Sequence, residues 1–182
     1  MHTSSRIVRT SHSDPLRIAS VAAPGGGVIG FTLCPGKHQH SATSGIWRRD
    51  LDLDLDRIRD WGAAAVVTLM QPEELQRYNV PGLGAAIARH GMAWHHLPIV
   101  DGGLPDRPFE HDWITHGAVL RGMLGLRQRI LLHCRGGLGR SGTIAARLLI
   151  ELGMPAPVAI DAVRTARPDA IEPVQQRYLL GL

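Results

Sequence analysis

Short apolar runs alternate with amphipathic stretches along most of the chain, and glycine or proline separates many of them. Unbroken apolar runs of about four to eight residues are typical of buried strands, whereas longer stretches with a single apolar face are typical of helices. The pattern predicts strands at Val28–Thr32, Ala63–Met70, Met92–Ile99 and Ile130–His133. It predicts helices at Glu73–Tyr78, Pro81–His90, Pro108–Arg127, Ser141–Leu152, Pro157–Arg167 and Pro173–Leu180.

The stretch DLDLDLDRIRD, from Asp50 to Asp60, fits two periods. Its strict alternation is typical of a strand, but its leucines and its lack of β-branched residues favour a helix. We predict a short helix that Asp54 caps at its N-terminus.

The order of these elements predicts the fold class. Strands that alternate with helices indicate an α/β domain with a mainly parallel sheet covered by helices on both faces. We expect one such domain over residues 16–182, preceded by a mobile tail over the polar residues 1–15. In such sheets the ligands bind at the carboxyl ends of the strands, where the loops after Ile99 and His133 emerge.

Composition narrows the possible functions of the 182-residue chain. Hydrophobic content of 44% and charged content of 20% are ordinary for a soluble protein, and we expect a cytoplasmic location with no membrane span. The net charge is +4, but the arginines are scattered and only 4% of residues are aromatic, so we expect no nucleic-acid partner. Cys34 and Cys134 lie far apart, which favours two unrelated thiols over a disulfide framework or a zinc ribbon.

The stretch HCRGGLGRSG, from His133 to Gly142, lies between a predicted strand and a predicted helix. Its glycines permit a tight turn whose backbone N–H groups face inward, and the helix start adds a favourable dipole. Arg140 can grip two oxygens of the bound anion. We therefore predict a phosphate site formed by Arg135, Gly136, Gly137, Leu138, Gly139 and Arg140.

Cys134 begins this loop, so the field that binds an anion also favours the thiolate form of its side chain. A thiolate beneath a bound phosphoryl group is set for in-line attack, which gives a phosphocysteine. We expect Ser141 to donate a hydrogen bond to the sulfur. We expect His133 to shape the loop through hydrogen bonds rather than to act as a base.

The leaving oxygen of a phosphate ester needs a proton at neutral pH. Asp101 is the predicted general acid, because its loop lies at the same sheet edge and the adjacent Gly102–Gly103 pair lets it move. Asp106 on the same loop is the alternative. The histidines lack the spacing of a metal site, so we expect no metal.

The ten residues His133–Gly142 match the HCxxGxxRSG signature, and the chain resembles the cysteine-dependent protein tyrosine and dual-specificity phosphatases. Three further segments are similar to the kinase-associated phosphatase (cyclin-dependent kinase inhibitor 3) branch: Gly30–Lys37, Tyr78–Pro81 and His95–Asp106. The resemblance covers about residues 28–180. It implies a single phosphatase domain without a metal or other cofactor, with Cys134 as nucleophile, Arg140 on the phosphate and Asp101 as acid.

Many tyrosine phosphatases also hold the hydrolytic water with a late glutamine, a role that Glu172, Gln175 or Gln176 could fill here. The predicted function is hydrolysis of phosphotyrosine, and of phosphoserine or phosphothreonine, in a protein or peptide substrate. The alternatives are a phosphatase for phosphoinositides or other small phosphomonoesters, and a catalytically silent phosphopeptide-binding module. The sequence leaves the physiological substrate, the role of Cys34 and the oligomeric state open.

Overall fold

The computed structural model of the chain describes residues 7–43 and 45–182. The elements follow in the order β1 (Val8–Arg9), β2 (Ala19–Ala22), β3 (Val28–Thr32), β4 (His38–Ala42), β5 (Gly45–Arg48), α1 (Leu51–Asp60), β6 (Ala63–Thr68), α2 (Pro72–Arg77), α3 (Leu83–Arg89), β7 (Ala93–His96), α4 (Arg107–Gly125), β8 (Arg129–His133), α5 (Gly139–Glu151), α6 (Ala156–Ala166) and α7 (Pro173–Leu180). Even the longest of these helices, α4, is not apolar enough to cross a membrane, and no other helix within the described ranges qualifies.

The central sheet has the strand order β2-β3-β8-β6-β7. Strands β3, β8, β6 and β7 are parallel to their neighbours, and only the edge strand β2 runs antiparallel, next to β3. The predicted α/β fold with a mainly parallel sheet is therefore confirmed. Strand β8 lies at the centre, so the loop that follows it has neighbouring strand ends on both sides.

Alternate side chains of β8 enter two separate cores. Ile130 and Leu132 pack with residues of α4, α5, α6 and α7 on one face of the sheet. Leu131 packs with residues of α1, α2 and α3 on the other face. Because successive strand side chains point to opposite faces, an unbroken apolar strand indicates a sheet that helices cover on both sides.

The strands that the sequence pattern missed are short. β1, β2, β4 and β5 have two to five residues each, and β1, β5 and β4 form a separate small sheet. Two predicted strands are also shorter than expected, since β6 ends at Thr68 and β7 at His96. The residues after them stay buried but leave the ladder to form the loops at the carboxyl edge.

Helix α1 forms as predicted, but the predicted cap is wrong. Asp50 is the N-cap, and its carboxylate accepts a hydrogen bond from the N–H of Leu53 at 2.9 Å. Asp54 lies inside the helix and is buried, where it binds both the Nε and the Nη2 of Arg49 at 2.7 and 2.8 Å. The sequence offers four aspartates at alternate positions, and tertiary packing decides which of them starts the helix.

Residues 7–15 belong to the expected mobile tail, but in the structure they form hydrogen bonds with other parts of the chain. Strand β1 pairs with β5 in parallel register, and the N–H of Ile46 donates to the carbonyl of Ile7. The carbonyl of Asp14 accepts a hydrogen bond from Arg49. Backbone pairing of this kind does not depend on apolar side chains, so the polar sequence did not predict it. Residues 1–6 lie outside the described residues.

Candidate active site

The loop of residues 134–138 joins the end of β8 to the start of α5. Helix α5 begins at Gly139, two residues before the predicted start, and its N-terminus therefore points at the loop. Gly137 has a φ of +69°, and a Cβ there would lie 2.3 Å from the carbonyl carbon of Thr32. The tight turn thus requires glycine at this position for two independent reasons.

The thiol of Cys134 lies at the floor of this loop and is buried. The N–H of Gly137 donates to its sulfur over 3.3 Å. Burial by itself would raise the pKa of Cys134, but the charge of Arg140 and the nearby polar groups of Ser141 and Leu138 outweigh it and lower the pKa below its ordinary value. These surroundings favour a thiolate, the form of cysteine that acts as a nucleophile.

Arg140 is almost fully buried, and carboxylates and carbonyls hold its guanidinium in one orientation. Its two terminal nitrogens bind both oxygens of Glu74, at 2.7 and 2.9 Å. Nη1 also donates to the carbonyls of Ile99 and Leu69, and Nη2 donates to Asp101 over 2.9 Å. A bidentate carboxylate of this kind fixes the plane of the guanidinium before any ligand binds.

Glu74 is a residue of the site that the sequence reasoning missed. Burial by itself would raise its pKa, and hydrogen bonds from Arg140 and the backbone of Gln71 lower it below its ordinary value. The side chain belongs to a capping box at the start of α2, where the N–H of Gln71 donates to Glu74 over 2.9 Å. The QPEE pattern signals that box, but no local pattern signals a partner 66 residues away.

The two candidate acids have different surroundings. The carboxylate of Asp101 is 44% exposed and bridges two arginines. Its oxygens lie 2.9 Å from Nη2 of Arg140 and 3.0 Å from Nη1 of Arg135. Asp106 is the N-cap of α4 and accepts a hydrogen bond from the N–H of Phe109 over 3.0 Å. The structure thus brings Asp101 to the loop and engages Asp106 in starting a helix.

The imidazole of His133 is buried directly before the loop. Burial lowers the pKa of His133 to about 3, so the ring is neutral at physiological pH. Its Nε2 lies 2.7 Å from the hydroxyl of Thr68, which also accepts a hydrogen bond from the indole of Trp94. The neutral ring therefore connects the end of β8 to the end of β6 through the hydroxyl of Thr68.

The three candidates for holding the water molecule lie at the start of α7 or just before it. The amide oxygen of Gln176 accepts a hydrogen bond from Arg164 over 2.9 Å, and the amide oxygen of Gln175 accepts one from the N–H of Glu172 over 2.9 Å. Glu172 and Gln175 line the same cleft as Cys134. Gln175 is fully buried, and a Cβ on Gly139 would lie 3.0 Å from its Nε2. Among the described residues this Nε2 has no hydrogen-bond partner.

These groups surround a small cleft of about 110 Å³. A larger cavity of about 520 Å³ lies between residues 11–18 and α1, and it shares no lining residue with the cleft. Both cysteines are free thiols. In residues 7–43 and 45–182, no three His, Cys, Asp or Glu side chains form a group that could hold a metal ion.

Comparison with known proteins supplies a family context for this site. Residues 28–158 match the family described as cyclin-dependent kinase inhibitor 3. The rat protein of that name is 34% identical over 132 residues, which are 71% of this chain and 61% of the rat protein. The human protein is 33% identical over the same shares. The chain thus spans about three fifths of the length of these curated relatives.

Solved structures agree with the sequence comparison. The crystal structure of kinase associated phosphatase, with serine substituted for the catalytic-site cysteine, has a TM-score of 0.80 and 29% identity. The match covers 91% of this chain and 93% of that one. The active form of Tk-PTP has a TM-score of 0.63 and 26% identity, over 84% of this chain and 88% of that one.

Proposed function

The chain belongs to the cyclin-dependent kinase inhibitor 3 family of the protein tyrosine and dual-specificity phosphatases, and on that premise we propose that it hydrolyses phosphotyrosine in proteins or peptides. One observation supports this proposal above the others. The Cys134 thiol, with its lowered pKa, lies beneath a backbone N–H donor and beside the buried cation of Arg140. A phosphate dianion and a nucleophile need that combination in one small cleft.

In the first step the thiolate of Cys134 attacks phosphorus, so that an S–P bond forms as the P–O bond to the leaving group breaks. The N–H groups of the loop and the guanidinium of Arg140 bind the three equatorial oxygens of the transition state. Glu74 acts through Arg140, because its two hydrogen bonds keep the guanidinium plane fixed during the reaction. Such preorganisation avoids a reorganisation cost at the moment of transfer.

Asp101 donates a proton to the leaving oxygen in the same step. Its carboxylate pairs with Arg140 and Arg135 before substrate binds. A phosphate that binds these arginines takes the place of Asp101 on them, which leaves the carboxyl group of Asp101 free to face the leaving oxygen. The acid therefore becomes competent through substrate binding itself.

In the second step water attacks the phosphocysteine, Asp101 accepts its proton, and the thiolate leaves. The amide of Gln175, buried beside the loop with an unpartnered Nε2 among the described residues, holds this water. The hydroxyl of Ser141 is buried without a hydrogen-bond partner among the described residues, and in this step it donates to the departing thiolate. Inorganic phosphate is the second product.

The experiment that tests this function measures phosphate release from phosphotyrosine, phosphoserine and phosphothreonine peptides, and from a phosphoinositide. We expect turnover of the phosphotyrosine peptide by the wild type and none by Cys134→Ser, which keeps the shape of the loop but lacks the thiolate. A folded wild type that turns over no substrate would contradict the proposal and favour a binding module. Preference for the inositide would favour the alternative substrate class.

Asp101→Asn and Asp106→Asn form a matched pair for the acid, because asparagine is as good an N-cap as aspartate and so preserves the start of α4. We expect Asp101→Asn to lower kcat for a substrate with a poor leaving group by about 10²- to 10⁴-fold. The loss should shrink for 4-nitrophenyl phosphate, whose leaving group needs little protonation. The reverse ranking of the two variants would refute the assignment of Asp101.

Gln175→Ala tests the second step, with Gln176→Ala as the matched control. We expect Gln175→Ala to show a rapid burst of 4-nitrophenol followed by slow turnover, because phosphocysteine forms normally and waits for water. Gln176→Ala should keep the wild-type steady-state rate. A lower rate without a burst in Gln175→Ala would show that the amide acts before hydrolysis.

A further inference from the structure

Lys37 is the only lysine of the chain, and it lies behind the phosphate loop rather than on the surface. The residue is 5% exposed, and its Nζ lies 4.6 Å from the centre of the Trp47 ring. Its hydrogen bonds go to the carbonyl of Arg135 at 3.2 Å and to the amide oxygen of Gln39 at 3.5 Å. No carboxylate of the described residues pairs with it. Burying a lysine without an acidic partner costs desolvation free energy, because nothing compensates the charge for the water that it loses.

The backbone around Lys37 is held in place on both sides. The N–H of Gly36 donates to the buried carboxylate of Asp54 over 2.9 Å, and Arg49 in turn binds that carboxylate through two nitrogens. The carbonyl of Lys37 accepts a hydrogen bond from the N–H of Arg49, and the N–H of His38 donates one to the carbonyl of Tyr78. The ammonium group is therefore directed at the loop by a fixed turn.

The carbonyl of Arg135 accepts hydrogen bonds from Lys37 over 3.2 Å and from the backbone N–H of Cys34 over 3.4 Å, and its direction determines the orientation of a loop N–H. A trans peptide points its C=O and its N–H in opposite directions. The next peptide of the loop shows this rule: the carbonyl of Gly136 faces Arg167 at 3.5 Å, and the N–H of Gly137 faces the sulfur of Cys134. The carbonyl of Arg135 points toward Lys37, so by the same geometry the N–H of Gly136 points in the opposite direction, away from Lys37.

We propose that Lys37 is a positioning residue of the phosphate loop, whose ammonium group holds the Arg135 carbonyl outside the loop and so directs the N–H of Gly136 at the bound phosphate. The inference rests on the proposed function, and it assigns the chain's single lysine to the same site. Lys37 does not touch the phosphate. It acts through one peptide plane, and its positive charge adds to the field that Arg140 supplies.

The charge of Lys37 changes within an accessible pH range. Burial lowers its pKa to about 8, the cations of Arg135 and Arg49 lower it too, and the thiols of Cys34 and Cys134 act in the opposite direction. Arg9 also lies over the Trp47 ring. Since the folded pKa is depressed, Lys37 is charged below about pH 8 and becomes neutral above it. A bound dianion favours the charged form and should raise this pKa.

The first test uses protein labelled with ¹³C and ¹⁵N in lysine, which gives a single lysine signal in NMR spectra. We expect this signal to titrate near pH 8 in the free protein. With saturating inorganic sulfate, whose own charge does not change in this range, the midpoint should rise. By linkage, a rise of one pH unit in the midpoint means that sulfate binds tenfold more weakly to the neutral form of Lys37 than to the charged form. The charged form is present at about pH 7 and the neutral form at about pH 10. Calorimetric titration of sulfate into the same protein checks that equality.

The second test compares Lys37→Met with Arg48→Met, which removes one positive charge from an exposed neighbouring position on β5. We expect Lys37→Met to bind sulfate about tenfold more weakly than the wild type, and without dependence on pH between about 7 and 10. Arg48→Met should keep the wild-type affinity and its pH dependence. If Lys37→Met fails to fold, the lysine titration of the wild type decides alone.

The outcomes separate this proposal from the proposed function. Wild-type sulfate binding with an unshifted lysine midpoint, or normal binding by folded Lys37→Met, would overturn the role of Lys37 and leave the phosphatase assignment standing. A wild type that neither binds sulfate nor turns over substrate would overturn the phosphate site and the role of Lys37 together. A raised midpoint with a matching loss of affinity would establish the role.

Discussion

The two cysteines show how strongly surroundings decide the chemistry of one residue type. Both thiols are buried, and burial by itself raises the pKa of each. Around Cys34 nothing outweighs burial, and the pKa rises far above its ordinary value. Around Cys134 the charge of Arg140 and the nearby polar groups of Ser141 and Leu138 reverse the direction of the shift. Reactivity therefore follows from the loop and not from exposure.

This contrast predicts selective alkylation at neutral pH. Iodoacetate should modify Cys134 much faster than Cys34, because the pKa of Cys134 is lowered while that of Cys34 is raised, and because Cys134 has an adjacent anion site. The rate should fall as the pH drops below the lowered pKa of Cys134, and inorganic phosphate should protect the thiol. Mass spectrometry of peptides from the wild type and from Cys134→Ser measures both sites. Equal labelling of the two cysteines would contradict the assigned pKa directions.

Helix α1 shows that one element can serve the site without contacting it. Asp54 lies on the buried face of the helix and holds Arg49 through two nitrogens. It also holds the N–H of Gly36, in the turn that carries Lys37. Asp50, four residues earlier, only caps the helix. Two aspartates in one short repeat thus have unrelated structural roles.

Asp54→Asn and Asp50→Asn test this division of roles. We expect Asp54→Asn to lower the free energy of unfolding by about 3 to 5 kcal/mol, because the buried Arg49 guanidinium loses its counter-charge. Asp50→Asn should change it by less than about 0.5 kcal/mol, since asparagine caps a helix as well as aspartate. Urea unfolding measures both values. Equal destabilisation by the two substitutions would mean that the ion pair is not the dominant interaction.

At the scale of the whole molecule, the cleft collects segments that are distant along the chain. Cys134 and Arg140 come from the loop and helix after β8, Asp101 from the loop after β7, and Glu74 from α2 after β6. Gln175 comes from α7 at the C-terminal end. A ligand that contacts these groups together should stabilise the entire fold and not one loop.

Inorganic phosphate should therefore raise the unfolding temperature of the protein. At about one hundred times its dissociation constant a ligand adds about 2.7 kcal/mol, which for a chain of this size is a rise of about 5 to 10 °C. In Arg140→Met this rise should largely disappear, whatever the unfolding temperature of the variant without phosphate. Differential scanning calorimetry measures the increments. An undiminished rise in Arg140→Met would place the stabilising phosphate outside the loop.

Much of the fold and part of the site follow from local sequence. The apolar runs predicted β3, β6 and β8 because strands buried on both faces leave a continuous signal, whereas β7 is a half-exposed edge strand within its predicted run. Strands as short as β1 and β5, with two and four residues, left no periodic signal. The spacing of Cys134 and Arg140 pointed to an anion loop because both residues lie within one strand–loop–helix unit. The sequence also limited the acid to two aspartates and the water-binding residue to three candidates.

Only the tertiary structure shows that these candidates have different surroundings. It brings Asp101 to the arginines while Asp106 caps α4, and it buries Gln175 beside the loop while Gln176 binds Arg164. It also brings Glu74 onto Arg140 and the side chain of Lys37 onto the Arg135 carbonyl, contacts that no local motif specified. The physical reason is the range of the interactions. Turn and helix preferences act between residues a few positions apart and are written in the sequence. Contacts between residues 41, 66 or 98 positions apart exist only once the sheet has brought its strand ends together.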